Sequence, residues 1–94
     1  MAERLTDEAV QQGLEGSGWT REGDSIVREL QLEDFASAMA FANSVAALAE
    51  AANHHPDIDI RWRTLRFVLS THSAGGLTRL DVQLATRIDE IVGS

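Results

Sequence analysis

From residue 33 to residue 53 no glycine or proline interrupts the chain, and alanine recurs throughout. Alanine has the highest helix propensity of any residue, so the run admits little besides a helix. Phe35, Ala38, Met39, Ala42, Val45, Ala46 and Ala49 recur at helical spacing, which predicts a long amphipathic helix over 33–53. A stripe of small residues around Phe35 and Met39 lets that helix lie close against a sheet. Met39 reads as core filler rather than a ligand. Pro56 disfavours helical geometry at the residue before it, so the helix must stop just short of the adjacent His54 and His55.

The segments on either side alternate instead. Ile26, Arg28, Leu30 and Leu32 recur at period two after the turn-rich 21–25, which predicts a hairpin opening near Trp19, with Ile26, Leu30 and Leu32 on its covered face. Residues 57–62 and 65–71 alternate as well, with Arg63 and Thr64 as the turn between them. Leu65, Phe67 and Leu69, and with them Ile58, Ile60 and Trp62, are expected to face inward. Helices close both ends. Thr6 caps a short one that ends near Leu14, before Gly16-Ser17-Gly18. Thr78 caps the last, with Asp81 in the capping-box position and Leu80, Leu84, Ile88 and Ile91 as its buried stripe. The order is α-β-β-α-β-β-α. Residues 1–94 therefore read as a single α+β domain, a four-stranded antiparallel sheet with three helices on one face.

A chain of 94 residues buries only ~60–65% of its unfolded surface, so self-association is a natural supplement to its core. Its 8 Lys+Arg against 15 Asp+Glu give a formal net charge of −7, which repels phosphate backbones and anionic membranes and excludes direct nucleic acid binding. With no cysteine, a disulfide framework and a thiolate metal site are impossible. No apolar core of signal-peptide length opens the chain, and no run is read as approaching the ~18 apolar residues of a membrane span. The expected location is cytoplasmic, without a membrane partner.

All three histidines lie between Glu50 and Asp81: His54 and His55 side by side, His72 17 residues after His55, Glu50 four before His54, and Asp81 nine after His72. Imidazoles titrate near neutrality and a neighbouring carboxylate can fix their tautomer, so such a cluster can move protons. Plainer roles compete at each position. A histidine past a helix end can simply meet the last carbonyls. Asp81 is already a helix cap, Glu50 an exposed helix residue on the site's side, and Trp62 a core or interface aromatic. A metal site would need His54 and His55 to aim at one ion, which adjacent residues cannot readily do, so none is expected. Gly75-Gly76 before a helix could bind an anion through backbone amides, but a simple turn explains it as well.

The pattern Glu-x3-His-His-Pro followed by an aromatic, a His and an Asp resembles the pterin-4a-carbinolamine dehydratases. The likeness extends upstream through Ile26-Val27-Arg28-Glu29-Leu30-Gln31-Leu32-Glu33-Asp34-Phe35, downstream through Leu69-Ser70-Thr71-His72-Ser73-Ala74-Gly75-Gly76-Leu77-Thr78, and covers residues 5–92. It departs at Asn53, where Asp is common, at Trp62, where Tyr is common, and at Leu30 and Leu32, which replace aromatics. The resemblance implies the same α-β-β-α-β-β-α fold and a dehydration of 4a-hydroxytetrahydropterin to quinonoid dihydropterin, in tetrahydropterin recycling and with no cofactor. It implies that His54 and His72 carry acid-base catalysis, that His55 binds and orients the pterin, and that Asp81 pairs with His72. Asn53, Ser70, Thr71 and Ser73 line the pterin pocket, and Glu50 joins the substrate-binding set. The family self-associates, so a homo-oligomer, dimer or tetramer, is expected. Some animal members also act as dimerisation cofactors for a homeodomain transcription factor, so a non-catalytic pterin-binding or protein-dimerisation module of the same fold is the alternative.

Overall fold

The computed structural model describes residues 2–93. Along the chain come α1 (Asp7–Leu14), β1 (Thr20–Glu22), β2 (Ser25–Gln31), α2 (Phe35–Ala52), β3 (Asp57–Arg61), β4 (Thr64–Leu69), a 3-10 turn (His72–Ala74) and α3 (Arg79–Val92). All strand pairs are antiparallel, in the order β1-β2-β4-β3. The two hairpins thus meet through β2 and β4, and the helices cover one face, as the hydrophobic pattern predicts.

Register decides which residues that face carries. Opposite Leu65 stand Leu30 and Ile60, and opposite Phe67 stand Arg28 and Ile58, so these residues share one side of the sheet with Ile26 and Leu69. Ile26, Leu65, Phe67 and Leu69 are wholly buried beneath Ala38, Ala42, Val45 and Ala49 of α2 and Leu84, Ala85 and Ile88 of α3. Burying a side chain of that size contributes roughly 1.5–3 kcal/mol. Val27, on the opposite side, is buried as well.

Four expectations are corrected. Phe35 and Met39 are exposed, while Phe41 and Leu48 pack against the core. Ala38, Ala42, Val45 and Ala49 of the predicted stripe are buried, but α2 is apolar on most sides, and at the margin of the stripe Phe41, 6.0 Å from Phe67, packs in where Phe35 and Met39 were expected. Ile58 and Ile60 are on the core side of the sheet but exposed, because β3 is an edge strand with a neighbouring strand on one side only. Trp62 does not belong to the strand. Arg61 pairs with Thr64, so the turn is Trp62-Arg63 rather than Arg63-Thr64. Trp62 takes the left-handed conformation, φ 53°, leaves its ring 69% exposed and stacks under the Arg63 guanidinium, 4.9 Å from the ring centre. Finally, α2 is long and apolar enough for a membrane span by length and composition, with 18 residues and a mean hydropathy of 1.3. In this fold one flank of it, Ala38, Ala42, Val45 and Ala49, covers the sheet, while Phe35 and Met39 stay exposed.

The expected cap at Thr6 is present, and Asp34, not foreseen as a cap, closes the start of α2. Thr6 accepts from Ala9 N at 3.1 Å. Asp34 accepts from Ser37 N at 2.7 Å, and this amide, with the Ser37 side chain, holds the Asp34 carboxyl below the usual carboxylate range. At the far end of α3, Asp89 Oδ1 accepts from Trp19 Nε1 at 2.8 Å and from Arg28 Nη1 at 2.6 Å. The Arg28 guanidinium lies so close under Gly18 that a Cβ there would come within 2.1 Å of it. Glycine is what lets this half-buried latch close.

Replacing Asp89 with Ala removes an acceptor shared by an indole and a guanidinium. We expect a loss of about 1.5–3 kcal/mol, the scale of hydrogen bonds to charged groups, measured by urea unfolding. A midpoint equal to the parent's would make the latch incidental.

Candidate active site

The site begins where α2 ends. Asn53 closes the helix in the left-handed conformation (φ 49°, ψ 43°), its N–H directed at the carbonyls of Ala49 and Glu50, and His54 N–H donates to Ala49 O at 3.1 Å. Asn tolerates this geometry better than most residues. The closure sends the two histidines to different environments.

His54 turns inward. Its side chain is 10% exposed, and Nε2 stands 2.6 Å from Oδ1 of Asp81, whose side chain is 0% exposed. His55 stays outside and pairs with Glu50 at 2.5 Å, with both side chains exposed. An exposed pair of this kind adds little stability; its visible effect is to hold the His55 ring. His72, also exposed, opens the 3-10 turn, and no side-chain hydrogen bond joins it to another described residue. No group of three or more His, Asp or Glu among the described residues is arranged to hold a metal ion.

Asp81 is bound from three directions. Oδ1 meets His54, while Oδ2 accepts from Thr78 N at 2.9 Å and from Thr71 Oγ1 at 2.7 Å. The expected capping box is therefore present, with Oδ2 closing it. The carboxylate that the resemblance pairs with His72 is paired here with His54. Backbone geometry explains the exchange. Thr71 and Gly76 bond to each other's amides and Gly75 N–H donates to His72 O, so residues 71–76 form a closed loop that directs Thr71 towards Asp81 and leaves His72 at the surface. Those amides are spent on the turn, which answers the anion-binding alternative for Gly75-Gly76.

The other residues implied by the resemblance divide likewise. Ser70 Oγ donates to Asp24 O at 2.9 Å, across to the β1–β2 turn. Thr71 is buried, with its hydroxyl bonded at both ends, to Asp81 and at 2.8 Å to Thr78 Oγ1. Asn53 and Ser73 are exposed. Sequence reasoning took Thr78 for a cap alone and missed its hydroxyl's bond to Thr71, because only the closed loop brings the two together. A separate groove of about 650 Å³ lies between Leu48, Ala51 and Ala52 of α2 and the side of α3 from Arg79 to Glu90.

An α-β-β-α-β-β-α domain with this sheet order is the fold of pterin-dehydratase-like proteins. It matches the crystal structure of a transcriptional coactivator/pterin dehydratase from Brucella Melitensis with a TM-score of 0.89 at 30% identity, over 95% of this chain and 98% of that one. A pterin dehydratase-like protein described as a RuBisCO assembly factor in the alpha-carboxysome shares the fold, with a TM-score of 0.69 at 23% identity, over 84% of this chain and 94% of that one. The family model described as Pterin 4 alpha carbinolamine dehydratase matches residues 3–91. A protein of Roseiflexus sp. (strain RS-1), provisionally named a pterin-4-alpha-carbinolamine dehydratase, is 56% identical over 98% of this chain and 100% of its own length. One of Nocardia farcinica (strain IFM 10152), named in the same way, is 56% identical over 95% of each chain. The chain belongs to the pterin-4a-carbinolamine dehydratase family.

Replacing Asp81 with Ala would strand three donors around a buried site and break the capping box of α3, with Thr78 left as its cap. Loss of a cap alone costs about 1 kcal/mol; stranding buried polar partners raises the expected cost to roughly 2–5 kcal/mol. Urea unfolding measures it, and a loss no larger than a cap's would reduce Asp81 to a helix terminus.

Proposed function

We propose that the protein removes water from a 4a-hydroxytetrahydropterin to give the quinonoid dihydropterin, by histidine acid-base catalysis and in the recycling of tetrahydropterin, tetrahydrobiopterin being the expected substrate. Membership of the family supports the reaction, and one observation carries the mechanism: the buried His54–Asp81 pair at 2.6 Å. An ionised carboxylate only accepts hydrogen bonds, so His54 holds a proton on Nε2 and keeps Nδ1 as the atom that exchanges protons.

Two proton transfers complete the chemistry. A general acid protonates the C4a hydroxyl, the C–O bond breaks and water leaves. A general base removes the N5 proton, and the electrons of that N–H bond become the C4a=N5 double bond. The proton given and the proton taken balance, so neither a redox partner nor a cofactor is required. His54 and His72 share these transfers, and His72, without a side-chain partner, can turn to the substrate. His55, held by Glu50, binds and orients the pterin, beside Asn53, Ser70 and Ser73, while the buried Thr71 faces Asp81 instead. The protein acts in the cytoplasm, where a chain without cysteine loses nothing in a reducing medium.

Replacing His54 or His72 with Ala should lower the dehydration rate by roughly 10²–10⁴-fold, the scale of a lost general acid or base. The double variant should lose less than the product of the two, because groups that act together are not additive. His55→Ala should instead raise KM. The readout is quinonoid dihydropterin formation above the spontaneous rate, and parental rates for both His54→Ala and His72→Ala would sink the mechanism.

A second reading has one observation in its favour. Ile58 and Ile60 stand exposed on the edge strand β3, with the exposed Trp62 in the turn that follows it, a surface suited to pairing with another strand. The occupant we propose is a second copy of the chain, making a homo-oligomer, dimer or tetramer; a protein-binding module of the same fold would use the same edge for a different partner. Sedimentation at micromolar concentration should show a dimer or larger species, and Ile60→Lys should shift it to monomer. A parent that sediments only as a monomer would refute self-association.

A further inference from the structure

Thr71 and Thr78 form a short buried chain of hydroxyls whose direction can be worked out from donors and acceptors alone. Asp81 Oδ2 lies 2.7 Å from Thr71 Oγ1, and a carboxylate has no proton to give, so Thr71 donates. A hydroxyl has a single proton, and that of Thr71 is now spent. In its 2.8 Å contact with Thr78 Oγ1, Thr71 must therefore accept and Thr78 donate. Thr78 Oγ1 in turn accepts from Leu80 N at 3.2 Å and from the amide of Asp81, its partner in the capping box. Every group is satisfied in this order and no other: amides of α3, Thr78, Thr71, Asp81 Oδ2, with His54 Nε2–H on Oδ1. Thr78 and Asp81 are wholly buried and Thr71 nearly so, so water cannot substitute for a missing member.

We infer that Thr71, oriented by Thr78, is a positioning residue for the reaction: by occupying Oδ2 it leaves Oδ1 to His54, and so holds that imidazole in the Nε2–H tautomer with Nδ1 open to substrate. Thr71 acts through Asp81 and not on the pterin. Without its hydroxyl, Oδ2 keeps only the Thr78 amide, the Thr78 proton loses its acceptor and can compete for the carboxylate, and the orientation of Oδ1 is no longer imposed. A threonine that merely filled space would leave the tautomer alone, and one that lined the pterin pocket would act on KM.

The test replaces Thr71 with Val, which keeps the shape and loses the hydroxyl, in the full chain; Thr71→Ala serves if the Val protein does not fold. The His54 tautomer is read from two-bond ¹H–¹⁵N correlations in ¹⁵N-labelled protein at a pH where the imidazole is neutral, without any substrate. The parent should show the Nε2–H form and the Val variant a mixture. In the dehydration assay kcat should fall about ten- to a hundredfold, the scale known for outer partners of metal-bound histidines, with KM little changed, and Thr71→Ser should recover most of the rate. An unchanged tautomer, an unchanged kcat in an active protein, or a rise in KM alone would overturn the inference. The rate arm rests on the dehydratase reading; the spectroscopic arm does not. A tautomer mixture in the Val variant of a protein that never dehydrates a 4a-hydroxypterin would therefore refute the reading of function and uphold the role of Thr71.

Discussion

A carboxylate with no access to solvent is the constraint on which this structure turns. Burying the Asp81 charge costs several kcal/mol unless hydrogen bonds replace its water. The replacements come from three places: the end of α2 through His54, the loop after β4 through Thr71, and the start of α3 through the Thr78 amide. None of these segments can shift without leaving the charge unmatched. The chain ahead of α1 joins the same junction, with Leu5 N–H bonded to Leu77 O at 2.8 Å. The need to satisfy one buried acid thus assembles the candidate site as a by-product of closing the fold.

Helix α3 is held in the same way at both ends. Asp89, eight residues after Asp81 and so about 12 Å further along the helix, takes the Trp19 indole and the Arg28 guanidinium from the sheet side. Between the two acids lie the buried Leu84, Ala85 and Ile88. Apolar burial drives α3 against the rest of the domain but is tolerant of sliding and rotation, whereas the two carboxylates are not. Directional bonds at the ends and non-directional packing in the middle give a short helix a single seat.

The three histidines show how environment differentiates one residue type. His54 is enclosed and bonded to a buried acid, His55 is exposed and paired with Glu50, and His72 is exposed with no side-chain partner among the described residues. A ring locked by a buried partner keeps its tautomer and orientation, while an exposed ring is free to follow a ligand. The division follows from the left-handed turn at Asn53 and the closed loop 71–76, both features of backbone rather than of the imidazoles.

Much of this was legible in the residues. The helix over 33–53, the caps at Thr6 and Thr78, the box with Asp81 and the two alternating hairpins rest on local rules of propensity and period, and local rules can be read from a string. What escaped were properties of relation. In an alanine-rich helix period located the buried Ala38, Ala42, Val45 and Ala49, but with apolar residues on most sides only contact with Phe67 chose Phe41 over Phe35 and Met39 at the margin. Alternation placed Ile58 and Ile60 on the core side of the sheet, yet strand order alone made β3 an edge and left them uncovered. Asp81 could be recognised as both a cap and a candidate partner for an imidazole, but which histidine it meets depends on how two loops close 27 residues apart in sequence. Spacing along a chain constrains which groups can approach; tertiary closure selects among them, because a buried charge accepts only the donors that the backbone brings within hydrogen-bond distance.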